Sequence, residues 1–222
     1  MPPPPPRPSP CRVHAFIDGQ NLFHSVRRVF GYEFPNYDPL RLAQAVTATT
    51  PDQKLVQVHF YTGVPPFNQS PRWSAFWSGK IRAMKDAGVR VVTRTLRYHP
   101  GPVLMRDGSI GTVPIPREKG IDLRIALDLL RLARHGEFDI GLLFSQDGDL
   151  AEVVREIREL RLEINRWIVV QCAYPHNPGS PGQSRGIAGT RHLPFDKGLY
   201  DTCIDLTDYF PPPPAPRLPG IQ

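Results

Sequence analysis

The chain has 222 residues and a mass of 25.0 kDa, 40% hydrophobic and 22% charged, which suits one α/β domain or two small ones and excludes a disordered polyampholyte. No stretch approaches the ~20 apolar residues of a membrane span, and the N-terminus lacks the apolar run of a secretory signal. Three widely spaced cysteines, Cys11, Cys172 and Cys203, fit neither a disulfide framework nor a Cys-x-x-Cys zinc site, so a reducing, cytoplasmic setting is expected.

Proline is abundant but localised. Of 27 prolines, seven lie within Pro2–Pro10 and six within Pro211–Pro219, which leaves ordinary usage elsewhere. The expected organisation is one domain over residues 11–210 between proline-rich disordered tails at 1–10 and 211–222. Such tails favour extended polyproline II conformations and are either passive or docking sites for a proline-recognising protein. The net charge of +6 is localised too. It is carried by Arg72, Lys80, Arg82, Lys85, Arg90, Arg94 and Arg97, with Asp86 as the one acid among them. A basic face there would concentrate polyanions such as nucleic acid, although charge alone fits a solubilising surface equally well.

Short apolar runs alternate with amphipathic stretches along the chain, the pattern of a parallel sheet covered by helices. Val13–Ile17 is expected as a strand running into Asp18-Gly19, followed by a helix over Asn21–Phe30. Asp38 and Pro39 supply the N-cap and first residue of a helix over Pro39–Thr47. Leu55–Tyr61 reads as a strand, Pro71–Ala87 as a helix ended by Gly88, and Val89–Leu96 as a strand. Trp73, Phe76, Trp77, Ile81 and Met84 form one stripe of that helix, more simply core than a base-stacking surface. Tyr98–Arg117, with four prolines and an Asp107-Gly108 turn pair, predicts a β-hairpin or a long surface loop. Ile121–His135 is the clearest helix, stopped by Gly136. Ile140–Phe144 follows as a buried strand, Leu150–Leu160 as a helix and Ile164–Gln171 as the last main strand. Pro175–Gly189 reads as a mobile loop and Thr202–Leu206 as an added edge strand, while His14 and His59 are expected to pack within strands. With right-handed crossovers the fold class is α/β, a three-layer α/β/α sandwich around a mostly parallel sheet.

Ligands bind such sheets outside the carboxyl ends of the strands. Two strands end in acids there: Val13–Ile17 runs into Asp18, and Ile140–Phe144 into Ser145-Gln146-Asp147-Gly148-Asp149. One Asp-Gly pair is better explained as a turn; two strands ending this way are harder to dismiss. On the helix Ile121–His135, Asp122 shares a face with Ile125, Ala126, Leu129 and Ala133, and is expected as the sole carboxylate of a core-facing stripe. Asp128 is expected as a surface charge. If Asp18, Asp122, Asp147 and Asp149 converge, their repulsion favours proton uptake or a bound cation, and all-oxygen ligands suit Mg²⁺ or Mn²⁺ rather than zinc. A divalent ion in an acidic pocket beside basic surface is what phosphodiester hydrolysis requires.

The segments Phe16–Asn21 (FIDGQN), Glu118–Asp122 (EKGID) and Ser145–Leu150 (SQDGDL), in this order and spacing, resemble the NYN domain, the LabA-like branch of the PIN-like nuclease superfamily. The resemblance covers most of Val13–Leu206. It implies a metal-dependent ribonuclease that hydrolyses RNA with metal-activated water, leaving a 5′-phosphate and a 3′-hydroxyl. It implies Asp18, Asp122 and Asp147 as metal ligands and Asp149 as a fourth acid, with Asn21 orienting Asp18 or the metal's water. Lys119 and Ser145 match motif positions that touch substrate phosphate. Arg94 and Arg97, near a strand end beside Tyr98 and His99, are candidates for RNA contact from the sequence itself. Gln146 stands where the family usually has a small residue and Leu150 where it has an aromatic one, so a non-catalytic RNA-binding module remains the alternative, with a DNA nuclease behind it. No P-loop or dinucleotide fingerprint is present, and Gln20 breaks the Asp-x-Asp of HAD-type phosphatases. Self-association is left open.

Overall fold

The computed structural model describes residues 5–105, 108–117, 119–180 and 185–212; Glu118, the middle of the 175–189 loop and the outer parts of both tails lie outside these. In chain order the elements are β1 (Cys11–Asp18), α1 (Gly19–Phe30), α2 (Pro39–Ala48), β2 (Gln53–Val64), α3 (Pro71–Asp86), β3 (Arg90–Thr95), β4 (Arg97–Leu104), β5 (Ile110–Arg117), α4 (Ile121–Arg134), β6 (Ile140–Phe144), α5 (Ala151–Glu163), β7 (Val169–Pro175), β8 (Arg191–Phe195) and α6 (Lys197–Asp201). Gly148–Leu150 forms a 3-10 turn ahead of α5. Six strands make one parallel sheet in the order β3-β2-β1-β6-β7-β8, and β4 and β5 form a separate antiparallel hairpin.

Strand periodicity builds a core on each face of the sheet, because successive side chains point to opposite sides. Val13, Ala15 and Ile17 of β1 join Val58, Phe60, Leu142 and Phe144 in one core, closed by Leu22 of α1, Leu42 of α2 and Phe76 of α3. The alternate residues Phe16, Tyr61, Leu143 and Cys172 join the other, closed by Ile125 and Leu129 of α4 and Val154 and Ile157 of α5. Each fully buried Leu, Ile or Phe contributes about 1.5–3 kcal/mol, so these side chains hold both helical layers to the sheet. The three-layer α/β/α class is the one expected. No described helix is long and apolar enough to cross a membrane.

Five expectations are corrected. Asp128, not Asp122, is the inward carboxylate of α4. The buried stripe starts from Ile121 and includes Ile125, Asp128, Leu129 and Leu132, which leaves Asp122 one step outside it. Asp128 accepts hydrogen bonds from the Tyr61 hydroxyl (3.1 Å), Arg124 Nε (2.9 Å) and Arg131 Nη2 (3.3 Å). Lys80 is not part of the basic face. It is buried, donating to the Tyr37 carbonyl (2.9 Å) and to Asp205 (3.0 Å), and so clamps the C-terminal segment onto α3. Burial lowers its pKa and Asp205 opposes that. The last central strand is Val169–Pro175 rather than Ile164–Gln171, because α5 runs on to Glu163 and Asn165 takes a left-handed φ of 46° to leave it. The edge strand is Arg191–Phe195, where Pro194 costs little on the outermost strand; Thr202–Leu206 makes only an isolated bridge from Ile204 to Tyr37. Trp73, placed with the core stripe, is 37% exposed, whereas Phe76, Trp77 and Met84 are buried.

Candidate active site

The chain leaves β1 towards β2 and β3 on one side, and leaves β6 towards β7 and β8 on the other. β1 and β6 are paired neighbours, Ile17 opposite Phe144, so a crevice opens beyond their carboxyl ends. Asp18 closes β1 and caps α1, its Oδ1 accepting the Asn21 N–H at 3.0 Å. Between them Gly19 is required by space: a Cβ there would lie 2.6 Å from Phe60 Cζ and 3.0 Å from the Tyr61 carbonyl oxygen.

Beyond β6, side chains fix the turn. Ser145 is buried and its Oγ accepts the Asp147 N–H at 3.2 Å. The Asp147 carboxylate accepts the Asp149 N–H at 3.0 Å and starts the 3-10 turn. Asn21 Oδ1 accepts the Gln146 N–H at 2.8 Å, which ties the start of α1 to the same turn. The Gln146 side chain reaches away from the crevice: Oε1 accepts from Arg28 and Nε2 donates to the Arg185 carbonyl. Gly120, at φ 80°, turns the chain into α4 and brings Lys119 and Asp122 to the crevice.

A cavity of about 450 Å³ results, lined by Asp18, Gln20, Asn21, His24, Lys119, Gly120, Asp122 and Asp147. Lys119 also lines an adjoining cavity of about 370 Å³ with Arg94, Thr95 and Arg97. Three acids from three separate elements therefore line one cavity, next to three cations. Asp149 is exposed and does not line the acidic cavity, and Ser145 faces inward. Gln20 and His24 were absent from the sequence-derived set, although their i, i+4 spacing puts both on the face of α1 that follows Asp18.

Electrostatics distinguish this crevice. Burial pushes the Asp18 carboxyl up to about 6; the charges of Asp147 and Asp122 add to that, and the N–H groups of Asn21 and Gln20 oppose it. Among the described residues no three His, Cys, Asp or Glu side chains are gathered tightly enough to hold a metal ion. The donor chemistry nevertheless fits a hard cation: the acidic lining is all oxygen, and among the described residues no cation is hydrogen-bonded to Asp18 to offset its neighbouring acids.

The sequence pattern of the NYN domain family matches residues 12–179. Among solved structures the chain is similar to a protein of unknown function from Vibrio parahaemolyticus at 18% identity, over 90% of this chain and 95% of that one, with a TM-score of 0.45. It is also similar to ribokinase from Giardia lamblia (11% identity, 61% of this chain and 39% of that one, TM-score 0.34). A third is MurG from Acinetobacter baumannii (9% identity, 82% and 45%, TM-score 0.34). These likenesses add nothing to the assignment of the fold or the site. No curated protein matches the chain.

Proposed function

The chain belongs to the NYN domain family, within the PIN-like nuclease superfamily, and we propose that it is a Mg²⁺- or Mn²⁺-dependent ribonuclease hydrolysing RNA phosphodiester bonds. One observation carries this reading. Asp18, Asp122 and Asp147, brought from the end of β1, the start of α4 and the turn after β6, line a single cavity that shares Lys119 with a cationic one.

Asp18, Asp122 and Asp147 would hold the cation. When bound, it supplies a lowered pKa for the attacking water and neutralises charge on the phosphate. The remaining work falls to the chain's own groups. Lys119, Arg94 and Arg97 bind the phosphate backbone as point and fork donors. Asn21 and Ser145 are positioning residues: the carboxamide of one and the hydroxyl of the other hold successive N–H groups of the Gln146-Asp147 turn and so aim the Asp147 carboxylate. Asp149 contributes through its backbone N–H, which fixes that same carboxylate. Because the Gln146 side chain is engaged by Arg28 and the Arg185 carbonyl, it leaves the phosphate path open.

Purified protein should cleave RNA with Mg²⁺ or Mn²⁺ and stop with EDTA. Asp147→Asn should lower the rate on the order of 100-fold or more with an unchanged thermal midpoint. Cleavage that persists in EDTA, or in the Asp18→Asn, Asp147→Asn double variant, overturns the mechanism. Salt-sensitive RNA binding with no turnover in either metal would assign the chain to a non-catalytic binding module instead.

A further inference from the structure

An aromatic cavity of about 370 Å³ adjoins the acidic one and shares Gln20 and His24 with it. Its apolar walls come from Phe23 of α1, Trp73 and Trp77 of α3, and Leu96 and Tyr98 around the start of β4. Trp77 is buried, Phe23 and Tyr98 are half-buried, and Trp73 is 37% exposed. Its volume is in the range of small-molecule sites. Trp73 is not a loose surface side chain. It meets Phe76 at 5.3 Å and Phe210 at 5.0 Å, both edge-to-face, so the ring is braced from two sides. Alternation along the chain then separates two chemistries. Thr95 and Arg97 line the cationic cavity, while Leu96 and Tyr98 line the aromatic one.

We propose that the aromatic cavity binds an unpaired nucleobase of the strand whose phosphate lies in the acidic cavity. This rests on the ribonuclease reading above. A single strand offers π-faces on one side and phosphates on the other, matching an aromatic wall and a cationic wall that both border one acidic centre. In a duplex the base is stacked and paired, and must first be flipped out to enter the cavity. Stacking is tolerant of base identity, so the cavity discriminates little between the four bases.

The test uses the full chain in EDTA, so that binding is read without turnover. Three probes are compared by fluorescence anisotropy and by tryptophan quenching: a short single-stranded RNA, the same strand carrying abasic residues, and its duplex. The abasic strand and the duplex should bind about tenfold more weakly than the intact strand, with little quenching. Trp73→Ala should lose the same factor towards the intact strand and nothing towards the abasic one. Tyr98→Ala, whose ring does not brace Phe210, should do likewise and covers any structural effect at Trp73. Equal affinity for intact and abasic strands, with metal-dependent cleavage retained, overturns the nucleobase site and leaves the ribonuclease standing. Absence of both RNA affinity and cleavage overturns the ribonuclease reading, and the nucleobase site falls with it.

Discussion

Two buried aspartates stand at opposite ends of the paired strands β1 and β6 and have opposite fates. Asp139, just before β6, accepts the Arg12 N–H (2.9 Å), Arg12 Nε (3.1 Å) and Nη2 (2.9 Å), and Arg166 Nη2 (3.3 Å). Burial pushes its carboxyl up, but the two guanidinium groups outweigh that and hold it below the usual value. Asp18, also hidden from solvent, is raised to about 6, chiefly by burial, with the charges of Asp147 and Asp122 adding to it. The same side chain is thus neutralised at the amino edge of the sheet and left in want of positive charge at the carboxyl edge. A buried acid without a counter-ion is costly to keep, and such perturbed groups cluster at functional sites. Asp139→Ala should cost about 1.5–3 kcal/mol, a drop of roughly 3–12 °C in the thermal midpoint. The larger penalty of a fully buried pair is not expected, because Arg12 and Arg166 are partly exposed and can turn to water. An unchanged midpoint would show that this network does not hold β1 to β6.

At the level of elements, the site depends on where helices begin. α1 starts against β2, with the Gly19 position hemmed in by the buried Phe60 ring and the Tyr61 carbonyl. Gly19→Ala forces one or the other aside and should cost about 1–3 kcal/mol. Since Asp18 caps this helix and Asn21 ties it to the Asp147 turn, metal-dependent cleavage should fall further than stability does; parallel unfolding and rate measurements would show it. Helix starts also explain what was legible. Asp18 and Asp147 end apolar runs followed by turn chemistry, which periodicity exposes directly. The orientation of α4 is not legible in the sequence, because a stripe through Asp122, Ile125 and Leu129 and one through Ile121, Ile125 and Asp128 are offset by a single residue, and periodicity alone does not choose between them. Tyr61, Arg124 and Arg131 make burial of Asp128 affordable, and Tyr61 lies on a distant strand.

Across the whole molecule, a pair of buried histidines sets the response to acid. His14 and His59 lie on adjacent strands, His59 Nε2 and His14 Nδ1 3.3 Å apart, and His59 stacks on Phe16. Burial lowers His14 to about 4, with Arg90 and Arg12 adding and Glu137 and Asp139 opposing. It lowers His59 to about 3, with His14, Arg90 and Arg131 adding and Asp128 opposing. The unfolded chain takes up these protons near pH 6.5, while the folded one refuses them. The two histidines therefore lower stability as pH falls from about 6.5 towards about 4, and Asp18, raised to about 6, takes up its proton in the folded state and offsets part of that loss, before carboxylates held low, such as Asp139 and Asp205, begin to matter. The urea midpoint should be lower at pH 5 than at pH 7, and a His14→Leu, His59→Leu double variant should lose that decline, leaving the opposite contribution of Asp18. An unaltered slope in the double variant would assign the effect to other groups.

By itself the sequence determined the α/β class, the family pattern and the acids at two strand ends, because these are local: alternation, capping and motif spacing are written in consecutive residues. Tertiary structure alone decided that β1 lies beside β6, that Asp122 joins Asp18 and Asp147 while Asp128 turns inward, and that Lys80 is withdrawn from the basic face to clamp Asp205. It also put the aromatic cavity against the acidic one. Each of these depends on which partner, distant along the chain, offsets the cost of burying a charge or a polar group, and that partner is named only when the layers close.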